Sequence, residues 1–205
     1  MNGRFMGQIA LCAALMLAVS ILGGGCLGRS PGVRHFMLGT SESTSTLARA
    51  ADMAVLVGPV RLPAYLDRSQ IATLEGGGEI SLNEFNRWLG GFEENFLRAL
   101  SLGLARELGS AKIVVAPSKA PFEIDYQIRL HVDDLIFEDD GGLRVRVRWA
   151  LIPIAEEGSP GLFVMDELIS MDGNSVESVV SAHEDALTDL VRRIADELIA
   201  RDSDG

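Results

Sequence analysis

The clearest regularity in the chain is an alternation of apolar and polar residues over positions 122–133. Because successive side chains of a strand point to opposite faces, this pattern predicts a strand with one buried and one solvated face. The acidic, glycine-containing turn at 138–142 should reverse the chain into a second alternating strand that reaches Leu151. A further strand is predicted over 162–171. Strands that adjoin through turns should pair antiparallel.

Three arginines, Arg144, Arg146 and Arg148, occupy the polar positions of the second alternating strand. Two explanations for this arginine row stay open. The row could bind a partner. Alternatively, it could form cross-strand ion pairs with acids of the neighbouring strand, namely Glu123, Asp125 and Asp133.

Two long segments repeat apolar residues at intervals of three and four, which predicts amphipathic helices. The first begins at the capping-box pattern Ser81–Glu84 and ends at Gly109, a residue type that commonly ends helices. Its aromatic residues fit a packed core better than a ligand pocket. The second helix spans about 175–201 and contains His183, which we expect to be a buried structural histidine rather than a metal ligand.

The remaining apolar runs are shorter. Pro59 and Pro63 indicate that the β-rich run 53–62 is an edge strand or is bent. A hairpin is expected around Gly76–Gly78, and shorter apolar runs lie at 35–38 and 112–116. Together these elements predict a single α+β domain, in which two amphipathic helices cover one face of a mainly antiparallel β-sheet.

The first residues have the order of an export signal. Arg4 precedes an apolar run at 9–22, which is too short for the roughly 20 residues of a membrane-spanning helix. Three glycines follow and lead to Cys26, an arrangement similar to a bacterial lipobox. We therefore expect a lipoprotein signal peptide at 1–25, a lipidated tether at 26–33 and a folded domain at 34–205. A cleaved secretory signal that leaves a free cysteine and an uncleaved anchor are the alternatives.

The charge balance narrows the classes of partner. The full chain has a formal net charge of −11, from 18 basic and 29 acidic residues. Removing residues 1–25 removes Arg4 and no acid, so the mature charge becomes −12. Nucleic acid and anionic headgroups repel such a surface, so nucleic acid is excluded as a partner and membrane attachment must come from the lipid anchor.

Candidate chemistry is sparse. The three histidines are far apart in sequence, and the acids at 138–140 lack the spacing of a calcium loop. Neither a nucleophile elbow nor a phosphate-binding loop with its lysine is present. The sequence thus predicts neither an enzyme nor a metal or cofactor site.

Residues 58–70 read Gly-Pro-Val-Arg-Leu-Pro-Ala-Tyr-Leu-Asp-Arg-Ser-Gln. This segment resembles the signature of the ABC-type transport auxiliary lipoprotein family, whose best-known branch is the paraquat-inducible protein C group. Phe85–Trp88 and the strands at 125–133 and 145–151 resemble the family too. Ser69 departs from it by replacing a common proline, and 35–38 differs from the usual strand.

The resemblance implies an accessory lipoprotein that works beside an ABC permease and an MCE-domain protein, which carries hydrophobic cargo between the two membranes of a Gram-negative envelope. It implies a periplasm-facing position at the outer membrane, in agreement with Leu27 after the cysteine, and it allows a homo-oligomer around a conduit. Within the signature segment, apolar anchors beside charges are typical of an interface. The residues concerned are Tyr65, Leu66, Asp67, Arg68 and Gln70.

Two alternatives accompany this interpretation. Tyr65 could pack locally against the first helix while Asp67 and Arg68 form ion pairs within the molecule. The protein could also be a lipid-binding carrier or receptor, which would need an apolar cavity of roughly 300 Å³ or more between helices and sheet.

Overall fold

The computed structural model describes residues 32–39, 53–75, 79–138, 141–154, 158–173 and 175–203. The predicted signal peptide and the lipidation site Cys26 lie outside these residues. The described chain forms eight strands and two helices, in this order: β1 Arg34–Phe36, β2 Val55–Arg61, β3 Gln70–Glu75, β4 Glu79–Trp88, α1 Phe92–Leu108, β5 Ile113–Val115, β6 Tyr126–Glu138, β7 Gly142–Pro153, β8 Gly161–Ser170 and α2 Val176–Ser203.

Strand β6 organises the sheet. Along one edge it pairs antiparallel with β7, which pairs antiparallel with β8. Along the other edge it has two parallel partners placed end to end, β2 beside its first half and β3 beside its last residues. Strand β5 extends the sheet beyond β2, while β4 and then β1 extend it beyond β3.

The α+β class and the single sheet with two helices are confirmed. The three antiparallel ladders are the longest, as the hairpin turns predict. The sheet is nevertheless mixed, because four shorter parallel ladders join the hairpins. These parallel pairings connect strands that are distant in sequence, so no local pattern indicates them.

The predicted first helix is wrong over its opening residues, which belong to β4. The Asn83 Oδ1 accepts hydrogen bonds from the backbone N–H groups of Phe85 (3.0 Å) and Asn86 (2.9 Å), as the side chain of a helix cap would. These bonds close a bulge in the strand, where the register with β3 shifts. A local side-chain bond of this kind serves a helix start or a turn equally well, which explains the error.

Helix α1 starts after a pair of glycines. Gly90 has φ +82°, a conformation that L side chains rarely adopt, and Gly91 occupies the N-cap position without a capping side chain. The Nδ2 of Asn95 donates to the Gly91 carbonyl at 3.1 Å, and two acids in the first turn favour the positive end of the helix dipole. The predicted end at Gly109 is confirmed, since it adopts a left-handed conformation with φ +64°.

Pro59 lies within an internal strand rather than an edge strand. Of the two expectations, the bent strand is correct, because β2 lies between β5 and β6 and its register with β6 shifts between Val57 and Val60. Gly58, with φ +108°, precedes the proline at this bulge.

Both helices cover the same face of the sheet and pack against each other. The inner faces of β6 and β7 contribute Leu135, Val145 and Val147, which meet Phe96 of α1 and Leu187 of α2. These side chains are all buried, and burial stabilises the fold by about 1.5–3 kcal/mol for each such residue. The opposite face carries no helix among the described residues, and we call it the open face.

Candidate functional site

The segment of residues 62–69 between β2 and β3, the signature loop, follows the edge of β6. Strand β2 leaves β6 where Arg61 pairs with His131, and β3 joins it where Thr73 pairs with Phe137. The signature loop bridges the interval between these two points. Tyr65 accordingly lies beside Asp134 and the backbone of Leu135 in β6.

The apolar residues of the signature loop belong to the fold. Leu66 is a buried member of the core, and Tyr65 is partly buried against that core. Burial raises the pKa of the Tyr65 phenol above its ordinary value, and the Asp134 carboxylate acts in the same direction. The local-packing alternative therefore describes Tyr65, although its neighbour is β6 rather than the first helix.

Backbone hydrogen bonds fix the path of the signature loop. The Leu66 N–H donates to the Pro63 carbonyl at 2.9 Å, and the Trp88 N–H donates to the Ser69 carbonyl at 2.6 Å. The N–H of Phe92, the first residue of α1, donates to the Arg68 carbonyl at 3.3 Å. These bonds tie the loop to β4 and to the start of α1.

The charged residues of the signature loop remain on the surface. Asp67 and Arg68 are exposed, and neither forms an ion pair with another residue that the structure describes. Gln70 is half-buried, and its Nε2 lies 3.5 Å from Glu84 Oε1. Of the five predicted interface residues in this segment, Asp67 and Arg68 are therefore exposed, whereas Leu66 is buried in the core.

The arginine row lies on the open face, as the alternation predicts, and every member has an acidic partner. Arg148 donates to both carboxylate oxygens of Asp133, at 2.6 and 2.7 Å. Arg146 lies between Asp134 (3.3 Å) and Asp166 (3.0 Å). Arg144 pairs with Glu138, the second hydrogen bond being 3.2 Å long. Ion pairing across strands therefore describes the row, although most of these acids differ from the predicted ones.

A bulge in β6 explains which acids take part. The register with β7 shifts between Val132 and Asp134, so the adjacent residues Asp133 and Asp134 both reach arginines of β7. In a regular strand, one of the two carboxylates would point into the core. The hydrogen bonds from Arg148 hold the pKa of Asp133 below its usual range, and those from Arg144 lower the pKa of Glu138.

The open face also contains a groove of about 630 Å³ that crosses β2, β6, β7 and β8. Sequence reasoning missed it because the groove depends on the pairing of β2 with β6, two strands that lie far apart in the chain. The lining consists of Pro59, Arg61, Arg129, Leu130, His131, Arg148, Trp149, Ala150, Leu162, Phe163 and Val164. The one sequence signal is the uninterrupted apolar run at 161–165, which indicates a strand that is apolar on both faces.

Between the two helices and the sheet, the hollow bordered by His183 holds only about 10 Å³, too small for the ligand of a carrier. A separate open hollow of about 570 Å³ lies where α1 meets β5 and is lined in part by Leu97 and Val115. His183 is buried, with its Nδ1 2.7 Å from the Val179 carbonyl oxygen and its ring edge-on to Trp88. Burial lowers its pKa to about 4, so this histidine is neutral at physiological pH, as expected of a structural residue.

Across the described ranges, no three His, Cys, Asp or Glu side chains converge as the ligands of a metal ion would. Among the described helices, none is both long and apolar enough to cross a membrane.

The family description of ABC-type transport auxiliary lipoprotein components matches residues 36–195. The chain belongs to this family. The match begins within β1 and ends within α2, so it covers every strand and helix between them. The resemblance of the signature segment to this family is thereby confirmed. The protein is therefore a member of a family of auxiliary components of ABC-type transport.

Solved structures agree with the fold. The crystal structure of an uncharacterized protein matches 82% of this chain and 99% of its own, at 15% identity and a TM-score of 0.66. Protein XCC0632 from Xanthomonas campestris, a DUF330 family member, matches 84% of this chain and 98% of its own, at 13% identity and a TM-score of 0.63. Identities this low show the fold alone. No curated protein matches the sequence significantly.

Proposed function

We propose that this auxiliary component is a non-enzymatic accessory lipoprotein of an MCE/ABC-type lipid transport system in a Gram-negative envelope. In this proposal, residues 1–25 are removed, Cys26 carries the acyl chains and residues 26–33 tether the domain to the outer membrane on its periplasmic side. The domain at 34–205 docks the transport conduit, with an MCE-domain protein and its ABC permease as partners. Neither a metal nor a cofactor takes part.

The observation that carries the docking role is that one part of the signature loop is packed into the fold while another part is exposed. Leu66 and Tyr65 bind the loop to the core, and its backbone is tied to β4 and α1, while Asp67 and Arg68 project into solvent. A loop that is held by such contacts and presents exposed charges of both signs loses little conformational entropy when a partner binds. The arginine row, by contrast, already has acidic partners, so we assign it only a supporting role in binding, beside the loop.

Affinity purification of the C-terminally tagged full-length protein from mildly crosslinked envelopes tests the docking role. We expect an MCE-domain protein to co-purify with the wild type and to be lost with Asp67→Ala/Arg68→Ala. The matched control is Asp189→Ala/Arg192→Ala, which removes an exposed ion pair of 2.7 Å from α2 and should retain the partner. Equal recovery of the partner with both double variants, each shown to be folded by thermal unfolding, would refute the docking role of the loop.

The anchor has its own test. Incorporation of labelled palmitate should be seen in the wild type and in Cys12→Ser, whose cysteine lies in the leader, and should be absent from Cys26→Ser. Labelling of Cys26→Ser would overturn the predicted anchor. Whether the protein forms a homo-oligomer stays a prediction, which light scattering of the purified lipoprotein would test.

A further inference from the structure

We propose that the groove on the open face is a binding site for an anionic amphiphile, a molecule with a phosphate or carboxylate head and a single aliphatic chain. This inference goes beyond the proposed docking function and does not depend on it, because none of the residues that line the groove belongs to the signature loop of residues 62–69.

The first observation is a concentration of positive charge. Strand register places Arg61, His131 and Arg148 side by side on three neighbouring strands, about 5 Å apart from strand to strand. Arg129 precedes His131 by one alternation and lines the same groove. In a chain with a net charge of −11, the described lining of the groove contains three arginines and no acid, although Asp133 pairs with one of them, Arg148.

Two of these arginines are available to a ligand. Asp133 engages Arg148 and lies 3.5 Å from His131 Nε2. Among the described residues, neither Arg61 nor Arg129 has a carboxylate partner. Two guanidinium groups beside each other attract an anion that can accept hydrogen bonds from both, as phosphate and carboxylate groups do.

The Arg129 guanidinium is held in place. Its Nε and Nη2 donate to Gln127 Oε1 at 3.3 and 3.2 Å, and Gln127 Nε2 donates to the Gly58 carbonyl at 2.9 Å. Gly58 belongs to the bulge of β2, so a backbone irregularity fixes the side chain at one wall of the groove. A prearranged donor loses less conformational entropy on binding than a free side chain does.

The second observation is the apolar half of the groove. Arg129 pairs in register with Ala150, which pairs with Leu162, and Val164 lies beside Arg148. The small side chain of Ala150 leaves the hollow open, while Leu162 and Val164 are 83% and 60% exposed on the edge strand. Exposed aliphatic residues that adjoin cations suit a ligand with both characters. A volume of 630 Å³ accommodates one aliphatic chain with its head.

The test is site-mapped photolabelling of the full-length lipoprotein in phosphatidylcholine nanodiscs. The probe is a single-chain alkyl phosphate that carries a diazirine near its chain end. We expect labels on peptides that contain Ala150 and residues 161–165, and displacement of the probe by dodecyl phosphate. Arg61→Gln/Arg129→Gln should reduce labelling about tenfold or more, because each charge-assisted hydrogen bond affects affinity by about that factor.

Control variants separate the site from trivial effects. Arg61→Lys/Arg129→Lys retains the charge and should retain most of the labelling, whereas Ala150→Trp should abolish it by filling the hollow. Arg192→Gln, on α2, should label as the wild type does. Unfolding midpoints of all variants should stay within a degree or so of each other, because the substituted side chains lie on the surface.

Three outcomes would overturn the proposal. Displacement of the probe by inorganic phosphate as effectively as by dodecyl phosphate would leave only an anion site. If the neutral dodecyl maltoside displaced the probe and dodecyl phosphate did not, the groove would be an apolar patch without an anion site. Displacement by an acidic peptide such as polyglutamate, but not by dodecyl phosphate, would assign the groove to a protein partner.

Discussion

Val147 and Arg148 are neighbours in β7, yet they face two different environments. Val147 is 1% exposed beneath the helices, while Arg148 lies on the open face and donates to Asp133. Beneath the helices, the hollow beside the neutral His183 holds about 10 Å³, whereas the open face carries a charged groove of about 630 Å³. The covered face thus supplies the stability, and the open face is available for binding.

The largest expected effect is a difference in the free energy of unfolding between two leucine truncations, one on each face. Leu104→Ala, in the covered core at 0% exposure, should reduce the free energy of unfolding by about 2–5 kcal/mol. Leu162→Ala, at 83% exposure on the open face, should change it by about 0.5 kcal/mol or less. Chemical denaturation of both variants measures the contrast. A destabilisation by Leu162→Ala as large as that by Leu104→Ala would show that the open face is part of the core.

The second prediction concerns pH and the covered face. The pKa of His183 is about 4 when folded and 6.5 as its ordinary value, so between these values the unfolded chain binds the extra proton. Stability is therefore fully present above about pH 6.5 and declines as the pH falls toward 4, by up to about 3 kcal/mol.

Denaturation curves at a series of pH values check this assignment. His183→Gln removes the titrating group, so its free energy of unfolding should vary less with pH between 7 and 4.5 than that of the wild type. An identical dependence in both proteins would contradict the role of His183, whatever the absolute stability of the variant.

The smallest effect belongs to the arginine row. Arg146→Gln breaks ion pairs with Asp134 and Asp166 on an exposed surface, so it should cost about 1 kcal/mol or less. The cost should shrink further in 1 M salt, where the Debye length is about 3 Å. A double-mutant cycle with Asp166→Asn at low and high salt measures it. A coupling energy that stays constant with salt would indicate that the row is shielded from solvent.

Sequence pattern predicted what depends on local periodicity. The arginine row, the β6–β7–β8 hairpins, the end of α1 at Gly109 and the buried His183 all follow from residues close to one another in the chain. The start of α1 could not be predicted, because the hydrogen bonds of Asn83 suit a bulge as well as a helix cap.

The candidate sites were less accessible to prediction. The signature loop could be located from its sequence, but its division into buried Leu66 and exposed Arg68 depends on contacts with β4, β6 and α1. The groove depends on the parallel register of Arg61 with His131, a pairing between strands separated by α1 and β5. The bulge that turns Asp133 and Asp134 toward the same arginines leaves no mark in the sequence either.

The signature loop connects two strands, β2 and β3, that pair with the same edge of β6, so its length bears on the distance between them. Strands β2 and β3 follow one another along that edge, and the loop spans the interval from His131 to Phe137, about 20 Å of strand. The loop is therefore a spacer, and its length bears on the register of β3 relative to β2 along β6. If a deletion in the loop made β3 slip by one position, the inward and outward side chains of β3 would be exchanged. Substitutions at the exposed positions of the loop leave its length intact, whereas a change in that length bears on the register of the sheet.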